Sequence, residues 1–129
     1  MSAEAPIGAV VTTPESRHYW EGVARGVLLL PRCRACGKAH FYPRSFCPHC
    51  FSDMLDTFEA SGRGTIYTFS VMRRANPPYC IAYVRLEEGP ILLSRIVDAP
   101  FDTIRCDQPV RLVFRKTAEG DAVPVFAPV

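Results

Sequence analysis

Apolar positions recur along this chain in two rhythms. Near the start, Tyr19, Trp20 and Val23 fall at i, i+1 and i+4, the spacing of one helical face. Thr13 is predicted to cap that helix, with Pro14 at its first position, Glu15 in its first turn and Gly26 as its stop. About three turns are too few to stand alone, so the helix must pack. Trp20 is expected to dock on the chain's own body in preference to another protein. Residues 1–12 read as a loose leader, and Val27 to Leu30 as a short strand.

From Phe58 onward the rhythm shortens to two. Thr65 to Met72 alternates, which predicts a strand with Tyr67, Phe69 and Val71 on the core side. Gly62-Arg63-Gly64 bends the chain before it. Tyr79 to Leu86, Pro90 to Val97, Val110 to Phe114 and Val123 to Phe126 read as four more strands. Five strands with one longer connection before the fourth fit a small closed barrel of the OB type, which removes exposed sheet edges. Cys33, Cys36, Cys47 and Cys50 stand as two C-x-x-C pairs ahead of the strands. The expected fold is therefore mainly β: a leader and N-terminal helix at 1–26, a rubredoxin-like zinc ribbon at 27–56 and a five-stranded OB-fold barrel at 57–129.

Composition narrows the class. The 129 residues are 48% apolar and 22% charged, as in a globular chain of one domain or two very small ones. No run is long and apolar enough to span a membrane. The first residues lack the basic and apolar blocks of a signal peptide, so the cytoplasm is the expected location. Lysine plus arginine number 15 against 13 acids. A zinc ion on four thiolates would bring the chain close to neutral, which weighs against holding polyanions by bulk charge.

Cysteine supplies the chemistry. Cys33 and Cys36, then Cys47 and Cys50, form two C-x-x-C turns separated by ten residues. In a reducing compartment the doubled motif points to a metal rather than a disulfide. Four sulfurs leave zinc no open position, so the site reads as structural. Iron in a rubredoxin-like site is the minor option. His40 and His49 lie nearby and are expected at the surface or behind the ligands. Five basic residues, Arg25, Arg32, Arg34, Lys38 and Arg44, and no acids lie between Gly22 and Ser52. They are read chiefly as compensation for the negative sulfur cage. Removing the metal is expected to unfold 27–56 and leave the barrel largely folded. Cys80 reads as a small buried hydrophobe and Cys106 as a loop residue.

No phosphate-loop lysine and no G-x-S-x-G elbow is present. The histidines, at 18, 40 and 49, all precede the barrel, so it holds no Ser-His-Asp site. Glu87-Glu88 sits at a turn and is expected to be solvated.

The helix with Tyr19-Trp20 is followed by R-C-R-A-C-G (32–37), P-R-S-F-C-P-H-C (43–50) and S-G-R-G-T-I-Y-T-F-S-V (61–71). P-Y-C-I-A-Y-V-R-L-E-E-G (78–89) and Q-P-V-R-L-V-F-R (108–115) complete the series. In this order the chain resembles the zinc-ribbon and OB-fold proteins of domain-of-unknown-function family thirty-five. That family often has glycine where Phe51 stands. The resemblance implies a non-catalytic accessory subunit of a thiolase-superfamily enzyme (a thiolase, aldolase or acyltransferase), in a hetero-oligomer that binds acyl-CoA. On that expectation Arg73, Arg74, Asn76 and Tyr79, at the loop between the first two barrel strands, are the candidate contacts to CoA or to the partner. The alternative is a zinc-ribbon and OB module that binds single-stranded nucleic acid. It would need exposed aromatics along a basic groove.

Overall fold

Thr13 opens the helical segment with a reciprocal cap in the computed structural model, which describes residues 5–129. The Thr13 N–H donates to Ser16 Oγ at 2.9 Å, and the Ser16 N–H donates to Thr13 Oγ1 at 3.2 Å. The pattern is that of a capping box with serine at its far end. It closes a preliminary turn, and the regular helix α1 runs Arg17–Ala24, later than the Thr13-Pro14 pair predicts. Gly26 follows it at φ +84°, a conformation glycine adopts without strain. Tyr19, Gly22 and Val23 form the buried face. Trp20 does dock on its own chain: its Nε1–H donates to the Tyr42 hydroxyl at 2.9 Å, and its ring meets Tyr19 edge-on.

Strands β1 (Leu29–Cys33) and β2 (Leu55–Glu59) pair antiparallel, Leu29 opposite Glu59 and Cys33 opposite Leu55. The segment between them carries the remaining cysteines of the doubled motif. The barrel follows, built from β3 (Arg63–Met72), β4 (Tyr79–Leu86), β5 (Ile91–Ile96), β6 (Pro109–Lys116) and β7 (Ala122–Pro128). Their order around the closed barrel is β3-β4-β5-β7-β6, with β6 returning to β3. The β5–β7 contact, Ile96 opposite Phe126, is parallel, and the other described barrel pairings are antiparallel. The molecule is thus mainly β, with one N-terminal helix, a cysteine cluster of the zinc-ribbon kind and a five-stranded OB-fold barrel. Gly64 is required by close approach. A Cβ there would stand 2.6 Å from the Arg85 carbonyl oxygen.

A bulge in β3 overturns the predicted face of Tyr67. Pairing with β4 slips between Ile66 and Thr68, leaving Tyr67 as the extra residue. Ile66 is fully buried, and Phe69 and Val71 pack against the same core from beyond the bulge. Tyr67 is 52% exposed, with the Arg85 guanidinium 4.8 Å from its ring centre. Simple alternation cannot foresee such a change of phase.

The main core does not stop at the ribbon. Tyr19 and Val23 from α1 and Leu28 and Leu30 from the ribbon side join Ile66, Val84, Leu92, Val110 and Phe126 of the barrel in one cluster. A smaller cluster of Val97, Val123, Val125 and Ala127 is covered by Ile7 and Val10. Arg95 reinforces that cover by donating to the Ala5 carbonyl at 2.7 Å. Residues 5–10 are therefore a docked strap and not a loose leader. Residues 1–4 of the expected leader lie outside the described residues. Among the described residues no helix is long and apolar enough to cross a membrane.

Candidate metal centre and ligand surfaces

Two turns of the same build bring the four cysteines together. The Gly37 N–H donates to the Cys33 carbonyl at 2.8 Å, and the Phe51 N–H to the Cys47 carbonyl at 2.9 Å. Each turn ends in a left-handed residue, Gly37 at φ +78° and Phe51 at φ +66°. Cys33 and Cys47 are buried, and Cys36 and Cys50 lie outward. Cys33 and Cys50 Sγ atoms stand 3.6 Å apart, Cys36 and Cys47 3.7 Å, and all four lie within 4.8 Å of one another. A tetrahedron with metal–sulfur bonds of about 2.3 Å has edges of about 3.8 Å, so the sulfur cage fits one ion.

The surrounding backbone prepares these sulfurs for that ion. The Cys36 N–H, more than any other group, pulls the Cys33 thiol down to about 7. Burial pushes Cys47 upward, but the N–H groups of Cys50 and His49, together with the Cys36 and Cys50 sulfurs, outweigh it and leave its thiol below the usual range. The Ser52 N–H draws Cys50 down, yet the neighbouring sulfurs and burial leave it at about 11. Four crowded thiols cannot all ionise until a cation joins them. The His49 N–H donates to Cys47 Sγ at 3.3 Å. Arg34 pairs with Asp56 at 3.5 Å, so at least one nearby cation also serves a carboxylate.

Phe51 carries a cost that Gly37 does not. A bulky residue in the left-handed region is disfavoured by about 1–2 kcal/mol. The Phe51 side chain is 75% exposed, so it gains little packing in return. Phe51→Gly is expected to stabilise the metal-loaded protein by about 1 kcal/mol. Denaturant midpoints of the two proteins test this, and an unchanged or lower midpoint in Phe51→Gly would contradict it.

The ligand-contact candidates divide. Arg73, Arg74 and Asn76 are exposed on the β3–β4 loop. Tyr79, at the start of β4, is half-buried, with the Arg95 guanidinium 4.4 Å above its ring centre. Tyr79 lines a cavity of about 240 Å³ with Ala5, Ile7, Pro78, Arg95 and Phe101, and the other three candidates do not line it. Arg95 was not legible as a site residue, because its backbone partners Ala5 and Pro6 are far away in the chain.

The structure fixes the place of two polar residues. His40 is buried, which excludes the surface, one of its two expected places, and burial together with His49 and Arg44 holds it below the ordinary histidine range. Glu87 is exposed and bonded to Arg63 at 2.8 Å, but Glu88 turns inward and accepts the Ser61 N–H at 2.7 Å. Cys80 is fully buried and Cys106 is exposed.

Known proteins share this architecture. Residues 20–56 match the family profile of the ChsH2 rubredoxin-like zinc ribbon domain, and residues 58–115 that of the ChsH2 C-terminal OB-fold domain. A DUF35 domain-containing scaffold protein of Methanocaldococcus jannaschii is 35% identical over 113 residues, covering 81% of this chain and 78% of that protein. The benzoylsuccinyl-CoA thiolase subunit BbsA of Geobacter metallireducens is 33% identical over 101 residues, covering 74% and 68%. A probable enoyl-CoA hydratase alpha subunit of Thermomonospora curvata is 32% identical over 119 residues. That match covers 88% of this chain but only 37% of the relative's length. Among solved structures, the Ltp2-ChsH2(DUF35) aldolase contains a chain that superposes with a TM-score of 0.83 at 30% identity. The superposition covers 93% of this chain and 98% of the other. The chain belongs to the DUF35 family of rubredoxin-like zinc-ribbon and OB-fold proteins.

Proposed function

We propose that this chain is a non-catalytic accessory subunit of a thiolase-superfamily enzyme, in a cytoplasmic hetero-oligomer that handles acyl-CoA. The observation that carries the reading is the near-complete superposition on a chain of an aldolase assembly. The thiolase-subunit relative supports the same class of partner. The bond-making residues then belong to the partner, and this chain supplies shape and contacts.

In this reading Cys33, Cys36, Cys47 and Cys50 hold a structural zinc ion. Four thiolates suit zinc and iron alike, and zinc is preferred because it adds no redox chemistry to a scaffold. The ion would cross-link the two turns and replace core that a module this small cannot bury. Arg73 and Arg74 would offer planar donor forks to the CoA phosphates, with Asn76 beside them. Tyr79 joins that loop to the cavity under the strap, where an apolar arm could lie. The double variant Arg73→Ala with Arg74→Ala is expected to weaken acyl-CoA binding by the assembled complex about tenfold or more. Calorimetry on the complex checks this, and unchanged affinity with unchanged assembly removes the loop from the site.

Co-purification from the native host, with mass spectrometry of what elutes, tests the role itself. A thiolase-like subunit is the expected companion. Turnover of an acyl thioester by the isolated chain would overturn the reading.

Tyr67 and Tyr83, both exposed, with Arg85 over Tyr67, are the observation that favours the second reading, a single-strand binder. The small net charge of +2 weighs against it. Strand binding that collapses as salt rises would support it.

A further inference from the structure

The outer wall of the barrel across β3, β4 and β5 is apolar where a solvated sheet face is normally polar. Tyr83 on β4 stands between Thr68 on β3 and Leu93 on β5, and Tyr67, the bulge residue, adjoins Thr68. Tyr67, Tyr83 and Leu93 are 52%, 46% and 54% exposed. The next outward pair sets Arg85 opposite Ile91, which is exposed as well. Four large apolar side chains on one face mark an interaction surface, as scattered ones would not. A hollow of about 140 Å³ opens among Thr68, Ile81, Tyr83 and Leu93, room for one apolar side chain.

The charges of the wall say what covers it. Residues 65–72, 79–85 and 91–95 hold two charged side chains, both arginine, and neither lysine nor acid. Tyrosine and arginine present, with lysine and carboxylates depleted, is the composition of a protein–protein interface core. Arg95 already donates to the Ala5 and Pro6 carbonyls. Arg85 stacks on Tyr67 at 4.8 Å and meets no carboxylate among the described residues.

Three other occupants answer this surface less well. A second copy would bring the same face, setting arginine toward arginine with no acid between them. A single strand needs open rings along a basic groove, but Arg85 covers one face of Tyr67, and Leu93 and Ile91 are aliphatic. An anionic bilayer is held by clusters of basic residues, and this wall has two. A protein face that is apolar and bears a carboxylate answers every feature.

We propose that this wall docks on the catalytic partner subunit. The partner inserts an apolar side chain into the hollow and sets a carboxylate on Arg85. The inference rests on the accessory-subunit reading and deepens it, by assigning the docking face and the chemistry of the contact.

The test uses the full metal-loaded chain, tagged in its native host, with the co-purifying thiolase-like subunit measured by mass spectrometry. Leu93→Asp and Arg85→Glu are each expected to lower its recovery about tenfold or more at unchanged metal content. Lys116→Glu, on β6 outside the wall, should leave recovery unchanged. Hydroxyl-radical footprinting of the unaltered complex needs no variant to fold: labelling of Tyr67, Tyr83 and Leu93 should fall when the partner binds. Equal labelling of these residues in the free chain and the complex would overturn the proposal. So would full recovery of the partner with both wall variants, and the accessory role would then stand without this face. Dimerisation of the isolated chain that Leu93→Asp abolishes would give the wall to a second copy. Protection of the same residues by oligothymidine, lost as salt rises, would give it to a nucleic acid. Either result would overturn the proposal. Absence of a thiolase-like subunit from the wild-type eluate would instead overturn the accessory reading, and the docking face with it.

Discussion

Cys47→Ser is expected to abolish stoichiometric metal binding and to lower the stability of the whole fold, barrel included. Cys47 is fully buried and shares a cage edge with Cys36 at 3.7 Å. A serine hydroxyl is a poor substitute for a thiolate. Structural zinc sites couple about 10–16 kcal/mol of apparent binding energy to folding. A domain has only about 5–15 kcal/mol of net stability, so losing even part of that coupling decides whether it folds. The damage should spread because Leu28 and Leu30 lie in the same cluster as Ile66, Val84 and Phe126. The shared packing thus argues against the simpler expectation that 27–56 would open and leave 57–129 largely folded. Elemental analysis measures the metal, and amide exchange follows each segment. Full protection of the barrel amides in metal-free protein would mean that the two parts fold separately.

The second large effect lies at the far end of the chain. Phe126→Ala is expected to cost about 3–5 kcal/mol. Phe126 is fully buried, opposite Leu112 on β6 and Ile96 on β5. It therefore sits where the last strand joins the two sides of the barrel. Truncation would remove the ring and leave a cavity that neighbours on β5 and β6 cannot both move to fill. Phe126→Leu, which keeps most of the volume, should cost about 1–2 kcal/mol. Denaturant unfolding at constant slope measures both. A loss below about 1 kcal/mol for Phe126→Ala would mean that the site can collapse and that the closure is loose.

The cysteine cage was legible because its signal is local: a doubled C-x-x-C needs only a short returning chain to close. The strands were legible because period-two alternation and the Glu88-Gly89 turn act over a few residues. Tyr67 was misplaced because a bulge is set by pairing with β4, which alternation along one strand does not contain. Strap residues Ala5 to Val10 looked loose because Arg95 and the Val123–Ala127 surface hold them from almost a chain-length away. Glu88 looked solvated because charge beside glycine normally is; the Ser61 N–H that turns it inward comes from the connection between β2 and β3. Of the ligand-contact candidates, Tyr79 alone carries a geometric feature, the stack with Arg95, that adds to what the family likeness implied.

The kink in β3 has an evolutionary corollary. Tyr67 is supernumerary to its ladder: removing it would let Ile66, Phe69 and Val71 keep their faces in an unbroken zigzag. Its identity is therefore uncoupled from the interior. Descendants of this chain can rewrite that one letter, and with it the texture of the outer wall, without renegotiating anything beneath.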